Sequence, residues 1–176
     1  MIFEQARYLL CGDRYLVVEC GDESSIRMTC RVLGMKTLIE QRAIPGVLEV
    51  PPASASLMVE YDPKVIGVRD VMREIQECEQ QSKGQTVTID SRIITMPVWY
   101  NDTHTQACAE AFGVRNNVEW TAEINQMDVE AFIRAHAAQT YLVTSIGFSP
   151  GAPAFLSMDP ERELVEESAL IGWELE

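Results

Sequence analysis

The sequence is poor in the residues from which proteins build metal sites and disulfide frameworks. It contains two histidines, His104 and His136, and neither an H-x-x-x-H nor an H-E-x-x-H spacing. Its five cysteines are an odd number without a C-x-x-C pair. These patterns predict neither a zinc site nor a set of structural disulfides. We therefore expect no metal site built by this chain and a reducing, cytoplasmic location.

Basic residues are also scarce. The chain carries 14 Lys and Arg against 27 Asp and Glu, for a net charge of −13 and a pI near 4.5. Such a chain repels phosphate, so we expect no binding to nucleic acid and none to an anionic membrane surface. No apolar run reaches the length of a membrane span, and the opening residues lack the pattern of a signal peptide. Plain solubility or a basic partner would each explain the acidity.

The common nucleotide-binding and hydrolase motifs are absent or broken. Neither G-x-x-x-x-G-K-[ST] nor G-x-G-x-x-G occurs, so no phosphate-binding loop of these kinds is predicted. The stretch GFSPG imitates the G-x-S-x-G motif of serine hydrolases. There the residue after the nucleophile donates a backbone N–H, and Pro150, which follows Ser149, has none. A stand-alone serine hydrolase using Ser149 is therefore disfavoured.

The first half alternates short β-prone runs with amphipathic helices. Discounting the run over 3–10, the order is strand, helix, strand, strand, helix, strand. This is the split βαβ order, and it predicts a ferredoxin-like α/β domain over residues 1–88. The predicted elements are a strand over 14–20, a helix capped within Asp22–Ser25 with Ile26, Cys30 and Leu33 on its apolar stripe, strands VLEV and SLMVEY, a helix with Val68, Val71, Met72, Ile75 and Cys78 on one side, and strands QTVTI and RIITMPVWY.

The second half has a different pattern. A helix is predicted after Asp102, ending at Gly113, and another after Asp128 that places His136 on its apolar face. The pattern of residues 115–126 is polar and predicts no element. A strand TYLVTSI follows, and Trp99-Tyr100 is interpreted either as the end of a strand or as the lining of a pocket.

The loop GFSPGAPAF, residues 147–155, is unusually constrained. Its two prolines fix φ, while Gly147 and Gly151 permit sharp turns and close approach of a ligand or another chain. It is either a preformed binding edge or an ordinary rigid connection. His136 has two interpretations as well: a general acid or base, or a hydrogen-bonded histidine of the core.

These features, taken in order along the chain, resemble the allophanate hydrolase subunit 1 family, the carboxyltransferase domain with subdomains C and D. The resemblance extends from about residue 13 to 160. The matching residues are Gly21-Asp22-Glu23, Pro45-Gly46-Val47, Ser56-Leu57-Met58-Val59, Tyr61-Asp62-Pro63, Met96-Pro97-Val98, His136, Thr140-Tyr141-Leu142-Val143, Gly147-Phe148-Ser149-Pro150-Gly151-Ala152-Pro153 and Met158-Asp159-Pro160.

The resemblance implies an α+β fold in which a cyclophilin-like β-barrel domain over 89–176 follows the ferredoxin-like domain. Ala152 and Ala154 stand where the family has large aromatics, 115–126 resembles an insertion, and the barrel is expected to be shortened at its C-terminus. Candidate cleft residues for substrate or partner are His136, Tyr141, Phe148, Ser149 and Gly151, without assigned catalytic roles.

The function implied is that of a non-autonomous subunit. Family members include one subunit of the bacterial ATP-dependent 5-oxoprolinase, half of the carboxyltransferase domain of urea carboxylase, and an inhibitor of a sporulation histidine kinase. We therefore expect a carboxyltransferase or ATP-dependent amide or lactam hydrolase complex with a subunit 2-type partner chain, ATP or biotin residing on partner subunits. A regulatory module that inhibits a sensor histidine kinase is the alternative.

Overall fold

The computed structural model describes residues 1–83, 88–147, 150–159 and 164. The chain divides into two compact units, the first made of Met1–Arg92 and Leu142–Leu156, the second of Ile93–Tyr141 and Ser157–Glu176. The elements are β1 Ile2–Cys11, β2 Tyr15–Gly21, α1 Ile26–Arg42, β3 Val47–Glu49, β4 Ser56–Tyr61, α2 Val68–Ser82, α3 Thr103–Phe112, α4 Asn117–Ile124, α5 Val129–Ala137, β5 Tyr141–Ile146 and β6 Pro153–Ser157. The described helices include none whose length and apolar content suit a membrane span.

The first unit is built on a four-stranded antiparallel sheet in the order β1-β2-β4-β3. Strand β2 alternates buried and half-buried residues, as expected of a central strand with one face on the core. Val18 lies opposite Leu57 of β4 in the register, and both side chains are buried. Sixteen buried residues form one hydrophobic cluster, most of them from the sheet, α1 and α2, with Leu16, Met35 and Ile75 among its members.

The strands predicted from the sequence are wrong in two places. The N-terminal run left out of the predicted order forms β1 at the sheet edge, and the predicted strand RIITMPVWY is not formed, since residues 92–99 contain no strand. Of the predicted strand QTVTI, residues 85–87 lie outside the described residues. Among the described residues up to 92, the order is therefore β-β-α-β-β-α. Both runs are β-prone, and sequence pattern alone does not choose between them. Strand β1 joins β2 through a short turn in which Gly12 has a φ of +69°, and such a local hairpin forms at little entropic cost.

Helices α1 and α2 can be compared with the apolar stripes that the sequence predicted for them. Ser25 caps α1 as predicted, its hydroxyl accepting the Met28 N–H at 3.2 Å. The stripe predicted for α1 is wrong, because Cys30 is exposed. The buried apolar side chains of α1 are instead those of Met28, Val32, Met35 and Ile39, which follow the i, i+4, i+7 spacing from a different starting residue. The stripe predicted for α2 is confirmed by the burial of Val71, Ile75 and Cys78.

A buried ion pair stabilises an irregular part of β1. The register of β1 against β2 shifts between Ile2 and Arg7. The backbone N–H and C=O groups there therefore cannot all form the hydrogen bonds of a regular antiparallel ladder. Glu79 of α2 accepts the Ala6 N–H at 2.8 Å and the Arg31 guanidinium at 3.0 Å. Arg31 in turn donates to the Phe3 carbonyl and, at 3.2 Å, to the Cys20 carbonyl. The pair therefore replaces the missing sheet hydrogen bonds and connects both helices to the edge of the sheet.

The second unit is helical over most of its described length. Asp102 caps α3, accepting the His104 and Thr105 N–H groups, and Gly113 ends it with a φ of +63°. Asp128 caps α5 through the Ala131 N–H. Both predicted helices are thus confirmed. Residues 115–126, for which we predicted no element, contain α4, capped by the Asn116 side chain.

Strands β5 and β6 form a two-stranded sheet on either side of the constrained loop. The predicted strand TYLVTSI is confirmed as β5. Gly147 donates its N–H to the Ala152 carbonyl at 3.0 Å, and Gly151 has a φ of +79°, a conformation that side chains rarely adopt. A Cβ added at either glycine would meet no atom within 4 Å. Backbone conformation, rather than crowding, therefore accounts for glycine at 151.

Candidate functional site

Three aromatic rings of the second unit contact the histidine that the sequence singled out. We call this group the His136 cluster; it consists of Tyr100, Phe132, His136 and Tyr141. Phe132 and His136 lie one turn apart on α5, so both side chains project from the same face. Tyr141 is the first residue of β5, and Tyr100 lies just before α3.

The rings contact one another in edge and tilted arrangements. The ring centroid of His136 lies 5.5 Å from that of Tyr100 at an interplanar angle of 84°. It lies 5.2 Å from the Tyr141 centroid and 5.9 Å from the Phe132 centroid. These separations lie in the range that aromatic pairs prefer. Phe132 is buried and the other three rings are half-buried, so the histidine sits at the border between core and solvent.

Hydrogen bonds to both tyrosines hold the histidine in place. The Tyr100 hydroxyl lies 2.5 Å from His136 Nδ1. The Tyr141 hydroxyl donates to the backbone carbonyl of His136 at 3.0 Å, which connects the last turn of α5 to β5. One tyrosine therefore orients the imidazole, while the other holds the backbone that carries it.

The pKa of Tyr100 affects how it can hydrogen-bond to the imidazole of His136. Partial burial raises the pKa of Tyr100, because the phenolate would lose solvation. Tyr100 therefore stays protonated at neutral pH and can donate to an unprotonated Nδ1. In that arrangement the imidazole proton is on Nε2. A histidine whose ring is oriented by a tyrosine is chemically suited to general acid–base catalysis.

The structure brings together some of the predicted site residues. His136 and Tyr141 lie in contact, as members of the cluster. Gly151 lies in the turn between β5 and β6 and belongs to the first unit. Phe148 and Ser149 lie outside the described residues, so the proposals that involve them stay predictions. His104, the other histidine, is exposed on α3 with its Nε2 3.7 Å from the Cys108 Sγ.

The sequence did not reveal that Tyr100 is the partner of His136. The two residues are 36 positions apart, and no spacing rule connects them. The available signal was the Trp99-Tyr100 pair, interpreted as a strand end or a pocket lining. The strand interpretation is wrong, since residues 88–99 form no strand, and Trp99 is 78% exposed. Tyr100 is the half-buried member of the pair.

A separate polar site lies in the first unit. It is an open cavity of about 610 Å³ between β1 and α2. Gln5, Tyr8, Gln76 and Glu79 are among its lining residues. Both oxygens of Glu79 already accept hydrogen bonds, one from Ala6 and Arg31 and the other from the Tyr8 hydroxyl at 2.8 Å. Because these bonds compensate its charge, this carboxylate is better explained by its structural role at β1.

Comparison with known proteins identifies the family. Residues 6–166 match the model of the carboxyltransferase domain, subdomain C and D. Because the match covers most of the chain, this protein belongs to that family. The resemblance inferred from the ordered motifs is thereby confirmed.

Relatives carry this region within larger chains. The chain is 29% identical over 152 residues to a 5-oxoprolinase subunit of Bacillus subtilis, covering 81% of this chain and 59% of that protein. It is 22% identical over 170 residues to urea amidolyase of Saccharomyces cerevisiae, covering 90% of this chain and 9% of the yeast protein. The crystal structure of the K. lactis urea amidolyase superposes with a TM-score of 0.74 at 19% identity, over 91% of this chain and 11% of that one. That similarity establishes the mixed α/β fold with antiparallel sheets.

Proposed function

We propose that this chain is a carboxyltransferase-type subunit of a multi-chain enzyme that carboxylates or hydrolyses a small amide, lactam or carbonyl compound with the use of ATP. One observation carries the proposal: the family match over residues 6–166. The names of two relatives support it, since one is a subunit of a 5-oxoprolinase and the other a urea amidolyase. 5-Oxoproline is a lactam and urea an amide, so both names concern the same kind of bond.

The composition of the His136 cluster supports placing the cofactor on another chain. Its four rings provide no fixed positive charge with which a triphosphate could pair, and the sequence lacks the glycine-rich phosphate loops. In this proposal ATP or biotin is therefore bound by partner subunits, of which a subunit 2-type chain is one. The complex is expected in the cytoplasm.

The His136 cluster would contribute proton transfer. Amide hydrolysis and carboxylation at an amide nitrogen both require a proton to move at that nitrogen. His136 would exchange this proton, while Tyr100 keeps the ring oriented through Nδ1. Phe148, Ser149 and Gly151 stay candidates for contact with the substrate or the partner.

The finer description of the fold forms part of the proposal. Family membership supports a ferredoxin-like first domain over 1–88 and a cyclophilin-like second domain over 89–176. For the first domain, β1 lies beside β2, which is the edge that a strand following α2 would take in the split βαβ order. A structure of the assembled complex would test both descriptions.

The experiment is purification of the tagged chain from its native host, followed by assay of the recovered assembly. We expect co-purification with a subunit 2-type chain and ADP release that rises with 5-oxoproline or with urea plus bicarbonate. Omitting the companion subunits from a reconstituted mixture should abolish that response. Recovery of a stable monomer would contradict the proposal. Stoichiometric recovery with a histidine kinase would instead support the regulatory alternative.

A further inference from the structure

Two side-chain hydroxyl groups join strands β5 and β6 to the sheet of the first unit. Thr144 of β5 is 3% exposed, and its Oγ1 lies 3.1 Å from the Ser54 Oγ. The same Oγ1 donates to the Ala154 carbonyl of β6 at 3.2 Å. Ser54 and residues 142–156 all belong to the first unit, so both hydrogen bonds lie within one compact unit.

The chemistry of these groups fixes the direction of both hydrogen bonds. A carbonyl oxygen only accepts, and a threonine hydroxyl has a single proton to donate. Thr144 therefore donates to Ala154, and its oxygen accepts the proton of Ser54. We call these two bonds, from Ser54 to Thr144 and from Thr144 to Ala154, the hydroxyl bridge.

The sheet of the first unit fixes the position of Ser54. On one side, Ala53 donates its N–H to the Ser56 carbonyl at 2.7 Å, which closes a tight turn around Ser54. On the other side, Ala55 accepts the N–H of Cys20 at 2.8 Å. Cys20 is a buried residue of the central strand β2. The Ser54 hydroxyl is therefore a fixed point from which another segment can be held.

The hydroxyl bridge holds both strands that flank the turn containing Gly151. Thr144 lies in the strand before this turn and Ala154 in the strand after it. Within the turn, the Gly147 N–H donates to the Ala152 carbonyl at 3.0 Å. Hydrogen bonds require a particular distance and angle, so they set a position more narrowly than apolar packing does. A turn ordered in this way spares a ligand part of the entropy that binding would otherwise cost.

We propose that Ser54 is a positioning residue for the proposed reaction: through the hydroxyl bridge, it holds the turn that contains Gly151 where this turn contacts the small amide or lactam substrate. This rests on the proposed function, in which Gly151 is a candidate for contact with the substrate or the partner. Exact placement favours the substrate, because a displacement of about 1 Å is costly at a reacting small molecule. Side chains at a broad protein interface can adjust to such a displacement.

Steady-state kinetics of the reconstituted complex, with 5-oxoproline or with urea plus bicarbonate, tests the inference. Ser54→Ala should raise KM roughly fivefold, because the substrate must then order the turn at the cost of about one hydrogen bond. The kcat should stay unchanged, as for a contact made equally in the ground state and the transition state.

Variants of Thr144 show whether Ser54 acts through the hydroxyl bridge. Thr144→Val removes the hydroxyl and should raise KM at least as much as Ser54→Ala. Adding Ser54→Ala to Thr144→Val should change KM no further, since both substitutions break the same bridge. Thr144→Ser keeps the hydroxyl and should keep KM near that of the unmodified chain.

Ser56→Ala is the matched control. Ser56 is half-buried two residues from Ser54, and its hydroxyl takes no part in the hydroxyl bridge. This variant should leave KM unchanged. Affinity for the companion subunit should be the same for Ser54→Ala, Ser56→Ala and the unmodified chain.

The outcomes separate this inference from the proposed function. An active complex in which Ser54→Ala leaves KM unchanged would overturn the positioning role and leave the function standing. A loss of companion affinity in Ser54→Ala, with KM restored at saturating companion, would assign the turn to the partner and overturn the inference. A raised KM in Thr144→Ser equal to that in Thr144→Val would also overturn it. An unmodified complex without activity on any amide or lactam would overturn the proposed function and the inference together.

Discussion

The two units of this chain differ in how their apolar residues are used. In the first unit, sixteen buried hydrophobic residues form one cluster between the sheet and two helices. Among the described residues of the second unit, the buried hydrophobic side chains are those of Ala122 and Phe132, while Ile93, Trp99 and Phe112 are each more than three quarters exposed. One chain thus supports a packed core in one unit and open apolar surface in the other.

This difference indicates a division of roles. A large buried cluster stabilises a fold, because each apolar side chain removed from water contributes to the free energy of unfolding. The described part of the second unit has few buried side chains, and chemistry and binding draw on the less stable parts of proteins. This agrees with our proposal that the His136 cluster of that unit has the functional role. Variants in the buried cluster of the first unit should therefore change stability, and variants in the His136 cluster should change activity.

The largest effect is expected at His136. In the reconstituted complex, His136→Ala should lower kcat by about 10²- to 10⁴-fold, the usual contribution of a general acid or base. His104→Ala is the matched control, since His104 is exposed on α3 and lies outside the His136 cluster. Steady-state kinetics would check this. A loss of activity matched by a loss of binding to the companion subunit would instead give His136 a structural role.

The next effect is expected at the buried ion pair. Glu79→Ala leaves Arg31 without its carboxylate and Ala6 without an acceptor. The first unit should lose about 3 kcal/mol of stability, toward the lower end for a broken buried pair, because the Arg31 side chain keeps 17% exposure. Hydrogen exchange of the β2 and β4 amides would measure it.

The neighbouring carboxylate provides the control for that measurement. Glu77 lies two residues earlier on α2, pairs with Arg42 and is 50% exposed. Glu77→Ala should change stability by no more than about 0.5 kcal/mol, as for other surface pairs. Equal losses for the two variants would show that the pair between Glu79 and Arg31 has no special role at β1.

A smaller effect is expected from Tyr8 at alkaline pH. Partial burial, with a hydrogen bond to Glu79, raises the pKa of Tyr8 well above its usual range. The unfolded chain ionises its tyrosines near pH 10, while folded Tyr8 keeps its proton, so the free energy of unfolding should fall as pH rises above about 10. Tyr8→Phe should reduce that fall. Urea titrations of both proteins at about pH 8 and about pH 11, on either side of that value, would detect it. An equal fall in the free energy of unfolding for both proteins would argue against a raised pKa of Tyr8.

The smallest effect concerns thiol reactivity, with no change in stability. Burial raises the pKa of Cys20 to about 11, against a partial opposing effect of Arg31, and burial also raises the pKa of Cys78. Cys11 and Cys30 are exposed. Timed alkylation, followed by mass spectrometry, should modify Cys11 and Cys30 in the folded chain. Cys20 and Cys78 should be modified only when the chain unfolds. Modification of Cys20 as fast as Cys11 would contradict the packing of the first unit.

Local signals in the sequence predicted many elements well. Ser25, Asp102 and Asp128 each cap the helix that follows them, and Gly113 ends α3, because capping depends on a few neighbouring residues. Helix α4 was missed even though Asn116 caps it. Its sequence has no clear apolar stripe, and its one buried residue is Ala122.

Two members of the His136 cluster were selected from the sequence as candidate site residues. His136 stood out as one of two histidines, and the ordered motifs pointed to the correct family. Tyr141 follows it closely in the chain and was selected with it. The contact of His136 with Tyr100 depends on packing within the second unit, which no sequence spacing expresses.

The sequence by itself determined the properties that depend on composition and on neighbouring residues. These are the acidity, the caps of α1, α3 and α5, the strand β5 and the motifs of the family. The tertiary structure decided which of two β-prone runs joined the sheet, which face of α1 was buried, and which ring held His136. Each of these outcomes is a competition between distant segments for the same partner, and its result depends on the free energy of packing and hydrogen bonding in the assembled unit.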